Sequence, residues 1–114
     1  MEDCIFCKIV KGEIPAKLAY EDAAVLAFHD ISPMAPIHIL IISKQHISSL
    51  IEANKLSEEE LGHMLQVTSK LALELGLNEN GYRVVTNCGN DGGQSVEHLH
   101  FHLLAGKIMN TELC

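Results

Sequence analysis

The sequence predicts an α+β domain in which a five-stranded, mainly antiparallel sheet carries one long helix and one short one on one face. Three observations point there. Between Gln94 and Leu104, His98, His100 and His102 alternate with Leu99, Phe101 and Leu103, the period-two pattern of a strand with two unlike faces. Ile37-His38-Ile39-Leu40-Ile41-Ile42 is the most hydrophobic run and has the β-branched content of a central strand. Ser57-Glu58-Glu59-Glu60 reads as a capping box, with acids facing the positive end of the helix dipole. Behind it Leu61, Met64, Leu65, Thr68, Leu71, Ala72 and Leu75 recur at helical spacing until Gly76 ends the run.

The remaining elements follow in order. Cys4-Ile5-Phe6-Cys7-Lys8-Ile9-Val10 forms an opening turn, broken by Gly12-Glu13-Ile14-Pro15. Lys17 to Glu21 and Ala23 to His29 read as a hairpin over Glu21-Asp22, and Ile31-Ser32-Pro33 ends its second strand. Ser48 to Ala53 is the short helical turn, and His63 falls off the apolar stripe of the long helix, where solvent is expected. Tyr82 to Asn87 is the next strand after the turn at Asn80-Gly81, and the tail beyond Leu104 has no periodicity.

A chain of 114 residues suits a single domain over 1–114 with a modest core. Eight basic against fifteen acidic side chains leave a net charge of −7, which disfavours nucleic acid or an anionic membrane as partner. A phosphate site would then be built from N–H groups and imidazole rather than from Lys or Arg. No run approaches 18 apolar residues and the start lacks a basic stretch, so a cytoplasmic protein without membrane span or signal peptide is expected. In such a compartment four cysteines point to metal or free thiols before disulfides.

Three imidazoles on one strand face are a costly way to make a polar surface, because clustered copies repel when protonated. Neighbouring positions on that face lie roughly 7 Å apart, so two rings can grip one small group while the third takes a different job. The preceding Asn87-Cys88-Gly89-Asn90-Asp91-Gly92-Gly93-Gln94-Ser95 is a turn-rich loop able to offer backbone N–H groups, an amide and a hydroxyl to phosphate oxygens. Cys4-x-x-Cys7 can supply two ligands of a tetrahedral zinc, or a redox pair, or two buried thiols.

Gln94-Ser95-Val96-x-His98-x-His100-x-His102-Leu103-Leu104 resembles the signature of the histidine-triad (HIT) superfamily, and Asp91-Gly92-Gly93-Gln94-Ser95-Val96 is similar to its Hint-like purine nucleoside phosphoramidase branch. The resemblance implies the HIT fold, a homodimer paired through the long helix and the Arg83 strand, and hydrolysis of the P–N bond in a purine nucleoside phosphoramidate. It implies His100 as the nucleophile that forms a nucleotidyl-histidine, with His102, His38 and His98 around it and Ser95 near the leaving group. Nucleotide contacts carried over by position are Ile5, Phe6, Ile9, Phe28, His29, Ile31 and Leu40 around the base, Asp30 at the ribose, and Asn87, Gly93, Gln94, Ser95, Val96, His100 and His102 at the phosphate. For the apolar members plain core packing fits the sequence equally well. Zinc-containing relatives imply a structural zinc on Cys4, Cys7, His46 and His98, with no organic cofactor. Three alternatives are a dinucleoside polyphosphate hydrolase, disfavoured by Gln94-Ser95-Val96 and the short chain, a nucleotidyltransferase of the galactose-phosphate type, disfavoured by His102, and a nucleotide sensor without turnover, disfavoured by the intact triad.

Overall fold

The computed structural model describes residues 3–113, so Cys114 lies outside the described residues. A helix Ile5–Val10 (α1) precedes strands Leu18–Glu21 (β1), Val25–His29 (β2) and Ile37–Ser43 (β3). A 3-10 helix over Leu50–Lys55 leads into the long helix Glu58–Glu74 (α2), followed by strands Arg83–Val85 (β4) and His100–Ala105 (β5). The five strands form one sheet in the order β1-β2-β3-β5-β4, every neighbouring pair antiparallel. The α+β class and the five-stranded antiparallel sheet are as the sequence predicts.

β3 is hydrophobic without a break from Ile39 to Ile42 because both of its faces are covered there. On one face Ile39 and Ile41 join Val25, Ala27, Phe101 and Leu103 beneath Met64, Val67, Leu71 and Ala72 of α2. On the other, Leu40 and Ile42 pack with Leu26, Phe28 and Phe6 of α1. The opening turn is therefore a true helix, and its packing on the sheet face opposite α2 is not visible in the spacing of so short a segment.

α2 begins as the sequence predicts. Ser57 Oγ accepts the Glu60 N–H at 3.0 Å, and the Glu60 carboxylate accepts the Ser57 N–H at 3.0 Å. Its buried stripe is shifted from expectation: Val67 is buried, whereas Leu65 and Leu75 are about half exposed. The sheet touches a narrower arc of the helix than the leucines span. His63, expected in solvent, is only partly exposed and hydrogen-bonds Asp22 Oδ2 at 2.6 Å. Burial would raise the Asp22 carboxyl, but bonds from His63, Tyr20 and the Ala24 and Val25 N–H groups hold it well below the usual carboxylate range.

β5 is shorter than the histidine alternation suggests. It pairs with β3 from His100 opposite Ile42 to Ala105 opposite Ile37. Upstream the chain bends: the His98 N–H bonds Val96 O at 2.9 Å, and the Leu99 N–H bonds Ile47 O at 2.8 Å rather than a strand neighbour. His98 thus leaves the ladder, while Leu99 and Phe101 still face the α2 core. β4 likewise spans three residues rather than the expected six.

Candidate functional site

The register that pairs Leu40 with His102, Ile42 with His100 and His38 with Leu104 gathers His38, His100 and His102 on the sheet face opposite α2. The His100 and His102 ring centres are 4.9 Å apart, and those of His38 and His102 are 5.1 Å apart. His38 and His100 are buried and His102 is partly so.

Hydrogen bonds to the backbone set the tautomers. The ring nitrogen Nδ1 of His100 lies 2.6 Å from the His98 carbonyl, which can only accept, so Nδ1 carries the proton and Nε2 keeps its lone pair. The Met34 N–H donates to His38 Nδ1 at 3.1 Å, which makes His38 Nε2 the protonated atom. That Nε2–H donates to His102 Nδ1 at 2.9 Å, leaving His102 with an Nε2–H donor. One neutral ring thus offers a lone pair and its neighbour an N–H. Burial holds all three below the ordinary histidine value; His102, which also feels His100 and His38, is lowered to about 4. Asp30 counters this only in part, with Oδ2 at 3.6 Å from His38 Nε2 and Oδ1 accepting the Ser32 N–H at 2.8 Å.

The glycine loop is closed by its own polar side chains. Gln94 Oε1 accepts the Gly89 N–H at 2.9 Å, and Gln94 Nε2 donates to Ser48 O at 2.6 Å and Val96 O at 2.8 Å. Asn87 Nδ2 donates to Gly92 O at 2.7 Å. A Cβ on Gly92 would collide with the Cys88 carbonyl oxygen and stand 2.8 Å from the Cys88 nitrogen, so only glycine lets the loop fold on itself there. Gly93 adopts φ 73°. The Gln94 N–H is taken up by Gly89 O at 3.1 Å, whereas the Ser95 and Val96 N–H groups make no backbone bond among the described residues.

Of the expected base contacts, Phe6, Phe28 and Leu40 lie in one buried cluster with Ile9 and Val96 at its margin. The Phe6 ring meets Phe28 edge-on at 5.5 Å and His100 at 5.1 Å. Ile5 is 44% exposed and Ile31 95% exposed, so neither is core; packing no longer accounts for them. His29 is the last residue of β2.

Cys4, Cys7, His46 and His98 converge, their four ligating atoms all within 4.8 Å of one another. Cys4 Sγ is 3.3 Å and Cys7 Sγ 3.6 Å from His98 Nδ1, and His46 Nδ1 is 3.2 Å from both Cys7 Sγ and His98 Nδ1. Zinc with sulfur at about 2.3 Å and nitrogen at about 2.05 Å gives tetrahedral S–N and N–N edges of about 3.6 and 3.3 Å. The donor set therefore fits zinc in kind and in span. The tautomer fits as well. His98 Nε2–H donates to Ser43 O at 2.7 Å, which leaves Nδ1 unprotonated towards the cluster, and burial lowers this ring to about 4. A cleft of about 390 Å³ lined by Cys4, His46, Ser95, Val96 and Glu97 joins the cluster to the glycine loop.

Sequence reasoning misses the groups that orient these rings. Three are backbone atoms, Met34 N, Ser43 O and His98 O, for which residue type carries no signal. The fourth is Thr86, whose hydroxyl donates to the His100 carbonyl at 2.7 Å beyond the end of β4.

Known proteins resemble this chain in sequence and in fold. The family description "HIT domain" matches residues 11–109, which leaves Cys4 and Cys7 outside the matched segment. An uncharacterized HIT-like protein of Synechococcus elongatus is 52% identical over 108 residues, covering 95% of this chain and 94% of that protein. The purine nucleoside phosphoramidase of Escherichia coli K12 is 45% identical over 112 residues, covering 98% and 94%. The crystal structure of a HIT family hydrolase from Legionella pneumophila Philadelphia 1 superposes with a TM-score of 0.93 at 48% identity, covering 96% and 98%.

Proposed function

The chain belongs to the HIT-domain family, and from that premise we propose that it is a nucleotide-binding hydrolase that cleaves the P–N bond of purine nucleoside phosphoramidates. The observation that carries the reading is the tautomer pair, a His100 Nε2 lone pair beside a His102 Nε2–H donor. A neutral imidazole with a free lone pair is a nucleophile for phosphorus, and an N–H beside it stabilises charge on a non-bridging oxygen.

In this reading His100 Nε2 attacks the phosphoryl group and the amine departs with a proton, leaving a nucleotidyl-histidine. Water then attacks the same phosphorus, His100 Nε2 leaves, and a nucleoside monophosphate is released. His102 and His38 hold charge and proton through their 2.9 Å contact. The Ser95 and Val96 N–H groups and Asn87 bind phosphate beside the positive-φ turn at Gly93, while Gln94 braces the loop by its side chain. Ser95 also lines the cleft that would receive the leaving amine. Asp30 takes the ribose hydroxyls, with the base among Ile5, Phe6, Ile9, Phe28, His29, Ile31 and Leu40. The name of the Escherichia coli relative supports the P–N bond as target.

Cys4, Cys7, His46 and His98 would hold a zinc that, when bound, ties α1 to the residues flanking β3 and β5. A reducing cytoplasm is the compartment that keeps both thiols available to it. The whole of 1–114 is read as one HIT domain. Half-exposed Leu65 and Leu73 on α2 and Val84 on β4 support a homodimer through that side. Among the described residues no helix is long and apolar enough to cross a membrane.

The test sets an adenosine phosphoramidate of a primary amine against diadenosine polyphosphates at equal concentration. Faster release of AMP from the phosphoramidate is expected. A preference for the polyphosphate would move the chain to the dinucleoside polyphosphate hydrolases, and AMP binding without turnover of either would make it a sensor.

A further inference from the structure

The helix that carries the cysteine pair also carries part of the wall of the candidate active site. Phe6 lies between Cys4 and Cys7 in sequence, and its ring stands edge-on to His100 at 5.1 Å, to His98 at 5.8 Å and to Phe28 at 5.5 Å. A second route runs through His98. Its Nδ1 faces Cys4 and Cys7 at 3.3 and 3.6 Å, and its carbonyl receives the Nδ1–H of His100 at 2.6 Å. The chemical state of the two sulfurs is therefore mechanically joined to the ring that presents the lone pair.

We propose that Cys4 and Cys7 are a peroxide-responsive switch, whose oxidation to a disulfide discharges the metal and unfastens His98, Phe6 and the His100 tautomer. The geometry favours the reaction. The two sulfurs already lie within 4.8 Å, so a disulfide at about 2.05 Å needs a closure of less than about 3 Å within one turn of α1. Cys4 is partly exposed and lines the 390 Å³ cleft, which gives a hydroperoxide a path to its sulfur, whereas Cys7 is 8% exposed. The Cys4 thiolate attacks the O–O bond, becomes a sulfenic acid and releases hydroxide or alkoxide. The Cys7 thiolate then attacks that sulfur, forming the S–S bond and releasing a second hydroxide. Two electrons pass from the sulfurs to the peroxide, and the released bases take protons from solvent. With both sulfur ligands removed, His46 and His98 alone cannot retain a zinc that needs four donors.

The test titrates hydrogen peroxide into zinc-loaded protein and reads metal release with a chromophoric chelator, thiol pairing by mass, and the histidine ring nitrogens by NMR. The expected result is release of about one zinc per chain together with a mass loss of about 2 Da confined to the Cys4–Cys7 peptide. Loss of the His100 Nδ1–H resonance should accompany it, and reductant with zinc should restore all three. Cys4→His keeps four donors but no thiol pair, and its zinc should withstand the same peroxide. Protein that purifies without zinc, zinc retained through disulfide formation, an unchanged His100 resonance after release, or equal release from Cys4→His would each overturn the switch. None of these readouts uses a substrate, so the switch and the phosphoramidase reading fail separately.

Discussion

His100 and His102 are the same residue type two positions apart, yet the backbone gives them opposite hydrogen-bonding characters. The His98 carbonyl makes one an Nε2 lone pair, and the Met34 N–H, acting through His38, makes the other an Nε2–H. His100→Ala should therefore lower turnover by at least a thousandfold or so, the scale lost with other covalent nucleophiles, while AMP affinity measured by calorimetry changes little. Residual turnover within about tenfold of the parent would remove His100 from the nucleophile's place. The same burial fixes a pH dependence. The unfolded chain's histidines take protons near 6.5, but folded His102 does so only near 4, and folded His38 is lowered as well. Stability is then at its full value above about pH 6.5 and falls as pH drops towards 4, since the unfolded state binds protons that the fold refuses. Urea midpoints at a series of pH values should decline across that window, and His102→Gln should flatten the decline.

At the scale of elements, the glycine loop and α1 bear on function most directly. Gly92 has no room for a Cβ against Cys88, so Gly92→Ala must open the loop that leads into Ser95 and Val96, the proposed phosphate-binding N–H groups. AMP affinity should fall by tenfold or more while the far-ultraviolet spectrum of the sheet and α2 is retained; unchanged affinity would detach the loop from phosphate binding. The convergence of Cys4, Cys7, His46 and His98 was legible because these residues are rare and chemically marked: two cysteines three apart and a family pattern that supplies His46 and His98. The strands and the cap of α2 were legible because period and capping chemistry are local. What was hidden depends on neighbours distant in sequence. β5 begins at His100 because the Leu99 N–H bonds Ile47 O and the His98 N–H bonds Val96 O rather than a strand neighbour, and Leu65 and Leu75 are exposed because the sheet is narrower than the leucine arc. Zinc couples binding to folding, so Cys4→Ser with Cys7→Ser should lower Tm and loosen α1, seen as faster amide exchange over Ile5–Val10. Turnover per folded molecule should fall together with the His100 Nδ1–H resonance, because the variant keeps His100, His102 and His38 but loses the tie from the sulfurs through His98 to the His100 ring.

The molecule as a whole leaves one side unfinished. β4 is an edge strand of three residues with Val84 38% exposed, and the neighbouring surface shows Tyr82 at 39%, Leu65 at 48% and Leu73 at 63%. Leu65 and Leu73 are eight residues apart on α2 and so share one face of the helix. A monomer in water gains nothing from such a stripe, and an open strand edge invites pairing with another chain. A second copy related by a two-fold axis would cover both, helix against helix and edge against edge, and would join two sheets into one. The opposite edge, β1, is the poorer candidate: its ladder to β2 is interrupted between Leu18 and Tyr20, and irregular edges resist pairing. Leu65→Glu with Leu73→Glu would place four like charges across the two-fold contact without disturbing the buried Met64, Val67 and Leu71. The parent should run as a dimer of about 25 kDa by light scattering, twice the 12.5 kDa chain, and the double variant as a monomer with an unchanged far-ultraviolet spectrum. A parent that is monomeric at micromolar concentration, or a double variant that stays dimeric, would place the interface elsewhere or abolish it.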